Sequence, residues 1–131
     1  MKRIFRSTLF YAAIIISGAG IGYALPRIPG WLKPGHVAGN YGAYYPDQKT
    51  RVVLYSTSWC GYCAKTRAYF ADNNIRYDEQ DIEKSPAAAR QFAELGGGGV
   101  PMVLIGDRKI RGYTPAEFDA ALKKVPAARL N

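Results

Sequence analysis

Arg51-Val52-Val53-Leu54-Tyr55-Ser56-Thr57-Ser58-Trp59-Cys60-Gly61-Tyr62-Cys63 contains an apolar run, a short polar break and the only two cysteines of the chain. The run predicts a buried strand, and a C-x-x-C handed from a strand to the first turn of a helix is the arrangement of a dithiol redox site. The N–H groups that open a helix lack intrahelical partners and carry the positive end of its dipole, so a thiol there sheds its proton more readily. Thiolate is the attacking form, which makes Cys60 the candidate nucleophile. Cys63 lies three residues on, which returns its side chain to the same helix face, where it can attack the Cys60 sulfur and resolve a mixed disulfide. Zinc wants about four ligands, and beyond these cysteines the chain has only one distant histidine, His36, so no metal site is expected. Haem attachment needs histidine after Cys63, where Ala64 stands. So short a loop also gives a purely structural disulfide little entropy to remove from the unfolded chain.

The residues beyond the motif continue the alternation. Ala64 to Asn73 predicts a helix with Ala64, Ala68, Phe70 and Ala71 on its buried stripe, and Ile75 to Ile82 a strand. Ser85-Pro86 reads as an N-cap with proline in the first turn, opening a helix to Leu95 that closes at Gly96. Gly96 to Gly99 form a flexible or close-approach turn; no Gly-Lys-Ser/Thr follows, so they are no phosphate loop. Val100 to Ile105 reads as a buried strand, Gly106-Asp107 as a turn and Lys109-Ile110-Arg111 as its hairpin partner. Thr114-Pro115-Ala116-Glu117 has the form of a capping box, opening a last helix to about Lys124. This order predicts an α/β fold with a parallel first strand pair and an antiparallel hairpin.

With Trp59-Cys60-Gly61-Tyr62-Cys63, Gly99-Val100-Pro101 and Ile110-Arg111-Gly112-Tyr113-Thr114-Pro115 in place, the stretch from Arg51 to Val125 resembles the glutaredoxins, within the thioredoxin fold. The resemblance implies a βαβαββα domain with a four-stranded mixed sheet flanked by helices. It implies a cis Val100–Pro101 bond beside the cysteines, with the Val100 backbone pairing with an incoming thiol peptide like an added strand. Disulfide-bearing proteins or glutathione are the implied partners. Glutathione as co-substrate would place its γ-glutamyl carboxylate near Gly112, Tyr113 and Thr114, at a helix N-terminus suited to an anion. No resident cofactor is required on this reading; the alternative is an iron–sulfur cluster held between two protomers by Cys60 and glutathione.

The family pattern is not followed throughout. Gly61-Tyr62 stands where many glutaredoxins have Pro-Tyr, Ser56 to Ser58 where many have a lysine, and Arg111-Gly112 for the usual Gly-Gly. Arg111 either supplies the missing cation or is a solvated strand residue. Gly112-Tyr113-Thr114-Pro115 also looks like the Gly-Phe-x-Pro of glutaredoxin-like proteins that take electrons from thioredoxin reductase. Tyr62 is read as a wall of the substrate groove; Trp59 either shares that role or covers the sheet edge. Lys65 and Arg67 either favour thiolate through their charge or are solvated.

The first fifty residues differ in kind. Lys2, Arg3 and Arg6 precede an apolar run from Leu9 to Leu25, so residues 1–25 read as a signal anchor, with a cleaved signal peptide as the alternative. Residues 26–50, rich in proline, glycine and tyrosine without a period, read as a linker to the domain at 51–131. Assuming a bacterial source, the positive-inside rule puts the anchor in the inner membrane with the domain facing the periplasm, or the cleaved protein free in the periplasm. Of the net charge of +8, residues 1–50 carry +5, with six Lys/Arg and one Asp. The remaining excess is small and no basic-aromatic stripe accompanies it, so no nucleic-acid partner is expected.

Overall fold

A computed structural model describes residues 35–128; the expected hydrophobic helix and the first part of the linker lie outside the described residues. Among the described residues no helix is long and apolar enough to cross a membrane. Five strands form one mixed sheet: β1 (His36–Ala38), β2 (Val52–Ser56), β3 (Asp78–Asp81), β4 (Met102–Ile105) and β5 (Arg108–Arg111), in the spatial order β1-β5-β4-β2-β3. Helices α1 (Gly61–Asp72), α2 (Pro86–Glu94) and α3 (Pro115–Leu122) connect or follow them. β2 and β3 are parallel, with Leu54 opposite Glu79, while β2–β4 and β4–β5 are antiparallel, with Val103 opposite both Leu54 and Ile110. This is the thioredoxin-like arrangement, extended by one strand beyond the four expected.

The extra strand comes from the segment read as linker. Val37 pairs with Lys109 on the open edge of β5, the Tyr41 hydroxyl donates to the Val37 carbonyl at 3.2 Å, and the Tyr45 hydroxyl donates to the Gly106 carbonyl at 2.9 Å. Three residues are too few to show a period of two, so only the partner edge reveals the strand.

β2 is buried along its whole length because both of its faces are covered. Val52 and Leu54 join Phe70, Val103, Ile105, Ile110, Phe118 and Leu122 in the layer beneath α1 and α3. Val53 and Tyr55 point the other way, to Met102, Leu104, Leu95 and Tyr41. In α1 the buried stripe is Cys63, Thr66 and Phe70, and the alanines at 64, 68 and 71 are exposed, contrary to the expected stripe. Thr66 tolerates burial because its hydroxyl donates to the Tyr62 carbonyl one turn back, at 2.9 Å. α2 begins as expected, the Ser85 hydroxyl accepting the Ala88 N–H at 3.2 Å. α3 does not form the capping box: Thr114 caps nothing with its side chain, and Glu117 instead meets the His36 imidazole at 2.7 Å, tying β1 to α3.

Candidate active site

The register brings three loops to one end of the sheet. Tyr55 on β2 and Arg111 on β5 both lie opposite Met102 on β4, so the chain leaving β2, the chain entering β4 and the chain leaving β5 converge there. Those loops carry Cys60, Val100-Pro101 and Gly112.

Cys60 is the N-cap of α1, and its Sγ accepts the backbone N–H of Cys63 at 3.2 Å. A sulfur in that position meets a donor that the helix would otherwise leave unpaired. The Cys60 thiol also faces the Val100 carbonyl at 3.8 Å. The two cysteines, both unbridged, differ in access: Cys60 is 8% exposed and Cys63 is fully buried. Burial, reinforced by the hydrogen bond with the Cys60 side chain, pushes the Cys63 thiol up to about 11, against the opposing pull of the Thr57 backbone and the Arg67 charge. The geometry thus separates an outer sulfur at a helix mouth from an inner one that holds its proton.

Val100–Pro101 is a cis peptide, as the resemblance implies. The Gly112 N–H donates to the Pro101 carbonyl at 2.8 Å, and Gly112 has φ +77°, a conformation that glycine adopts without strain. Tyr113 is half-buried, its ring edge-on to Phe118 at 6.2 Å, and the Thr114 hydroxyl makes only a long 3.5 Å contact to the Gly112 carbonyl. Tyr62 is 62% exposed and the Lys65 ammonium lies 5.2 Å from its ring centre; with Gly61 these residues line an open hollow of about 290 Å³. Trp59 is 74% exposed, and its indole N–H donates to Glu83 at 2.8 Å.

Several partners were invisible in the sequence. Arg67 donates from Nε to Glu79 at 2.8 Å and from Nη2 to the Thr57 carbonyl at 3.0 Å, and Glu79 also accepts the hydroxyl of buried Ser56. Ser56, which the sequence places in the polar break after the apolar run, is instead the buried last residue of β2. Lys109 and Arg111 donate to the Leu95 and Gly96 carbonyls at 2.7 and 3.2 Å, closing the C-terminal end of α2. Arg111 therefore lies on the glycine run: at Gly98, where φ is +92°, a Cβ would stand 2.9 Å from its guanidinium.

Comparison with known proteins follows the same lines. Residues 52–110 match the glutaredoxin family. A Mycobacterium tuberculosis protein named as a glutaredoxin is 43% identical over 58 residues, which cover 43% of this chain and 69% of that protein. The glutaredoxin-like protein NrdH of Lactococcus lactis is 26% identical over 67 residues, 51% of this chain and 93% of that one. Among solved structures, the NrdH-redoxin of Escherichia coli superposes with a TM-score of 0.51 at 21% identity, covering 54% of this chain and 93% of its own, a likeness of fold.

Proposed function

The chain belongs to the glutaredoxin family, and from that premise we propose that it is a thiol–disulfide oxidoreductase that works through Cys60 and Cys63. The observation that carries this reading is the division of labour between the sulfurs: Cys60 sits at the mouth of α1 with a donor on its Sγ, and Cys63 lies buried behind it with its proton held. Cys60 attacks a substrate disulfide, one substrate sulfur leaving as a thiol and the other bonding to Cys60. Cys63 then attacks the Cys60 sulfur, the second substrate sulfur leaves with the Cys63 proton, and an internal disulfide remains. Two electrons have passed to the substrate.

The Val100 backbone, set by Pro101, aligns the incoming peptide, and Tyr62 forms one wall of its groove. Glutathione or a protein mixed disulfide is the partner, with Gly112, Tyr113 and Thr114 receiving the glutathione carboxylate. The N-terminal segment is proposed to hold the domain at the periplasmic face of a bacterial inner membrane.

Turnover of a glutathione mixed disulfide and of a protein disulfide, each with Cys60→Ser and Cys63→Ser, tests the proposal. Cys60→Ser is expected to abolish both activities, whereas Cys63→Ser accumulates a covalent adduct with protein substrate. Undiminished turnover by Cys60→Ser overturns the reading.

A further inference from the structure

Resolution of a mixed disulfide asks more of Cys63 than attack asks of Cys60, because negative charge must develop on a sulfur that water does not reach. Cys63 and Arg67 are four residues apart on α1, the spacing that stacks side chains on one helix face. Arg67 is anchored on two sides, to Glu79 on β3 and to the carbonyl of Thr57, the residue that follows β2. Glu79 is held in turn by Ser56, fully buried at the last position of β2. The end of β2, α1 and β3 are thereby joined behind the inner sulfur. Arg67 thus fixes the carbonyl of Thr57 in the turn that leads from β2 to the cysteines.

We propose that Arg67, oriented by Glu79 and Ser56, is a positioning residue for the resolving step, holding the Thr57 carbonyl and placing its charge on the face of α1 where the thiolate of Cys63 develops. The proposal rests on the exchange reading given above. In the step concerned, the Cys63 S–H bond breaks, a Cys63–Cys60 S–S bond forms, the Cys60–substrate S–S bond breaks, and the departing substrate sulfur takes the proton. The cysteine pair is oxidised and the substrate reduced by the same two electrons. A fork-shaped guanidinium can hold Glu79 and Thr57 at once, which a lysine ammonium on a flexible stem does poorly.

An aromatic disulfide, 5,5′-dithiobis(2-nitrobenzoate), separates the two steps in one stopped-flow trace of the reduced full-length chain in detergent. The first thionitrobenzoate released reports attack by Cys60 and depends on reagent concentration; the second reports displacement by Cys63 and does not. Arg67→Met is expected to slow the second release about tenfold, as befits loss of one nearby opposite charge, and to leave the first within about twofold. Arg67→Lys should recover part of the loss, and Glu79→Gln should slow the second release by a smaller factor, about threefold. An unchanged second release in Arg67→Met, or equal slowing of both releases, overturns the proposal. A wild-type chain that releases only one equivalent, or a Cys60→Ser chain that reacts like wild type, defeats the exchange reading and this proposal with it.

Discussion

Because the folded state keeps the Cys63 proton more tightly than the unfolded chain, the reduced protein is expected to lose stability in alkali through that one group. Its ordinary value of 9.0 is pushed up to about 11 by burial and by the neighbouring Cys60 side chain. The raised value sets the sign: the stability contributed is fully present below pH 9 and is lost as pH rises through 11, because the unfolded thiol ionises first. Linkage then gives a loss that is negligible at pH 8, on the order of 1 kcal/mol at pH 10, and on the order of 2 to 3 kcal/mol above both values. Tyr45 and Tyr55 are also raised, chiefly by burial, and weaken the fold in the same direction at still higher pH. They are common to wild type and Cys63→Ala, so the comparison is between slopes. Urea unfolding of both reduced proteins at pH 8, 9 and 10 should show wild type losing about 1 kcal/mol more than Cys63→Ala across that interval. Parallel pH dependences would refute the argument that burial holds the inner sulfur protonated.

Phe118 is fully buried and meets Tyr69, Phe70 and Tyr113 with ring centres 5.5 to 6.2 Å away, so Phe118→Ala should destabilise the domain by about 3–5 kcal/mol in denaturant unfolding. A loss under about 1 kcal/mol would mean that this layer is not packed as described. The Thr57 hydroxyl is buried and, among the described residues, the only such side-chain atom without a hydrogen-bond partner. Thr57→Val, which keeps the shape and removes that unmet group, is expected to raise stability by about 1 kcal/mol in the same measurement.

Much of the domain was legible because local patterns dictated it. The run Val52 to Tyr55 had to be a strand covered on both faces, and Ser85-Pro86 had to open a helix. Cys60 was placed at a helix mouth by its position after that strand, and the structure adds the Cys63 N–H on its sulfur. Local pattern and structure part where the deciding partner is remote. Thr114 and Glu117 have the spacing of a capping box, yet Glu117 is claimed by His36, 81 residues away in sequence. The alanines of α1 suit a buried stripe by hydrophobicity, but Thr66 takes that face once its hydroxyl finds the Tyr62 carbonyl. Arg111, whose sequence context suits a ligand cation and a solvated residue alike, donates to the Gly96 carbonyl on the glycine run.

The sequence by itself determined the order of buried strands and helices around a cysteine pair, since apolar period, caps and the C-x-x-C spacing are properties of neighbouring residues. Only the tertiary structure decided that His36 to Ala38 form a fifth strand, that Cys63 is sealed from solvent while Cys60 is not, and that Arg67 is clamped between Glu79 and Thr57. An edge strand, a depth of burial and the choice of an ion's partner depend on which distant segments meet. No local pattern encodes that, because the free energy of each contact exists only once the chain has brought the two groups together.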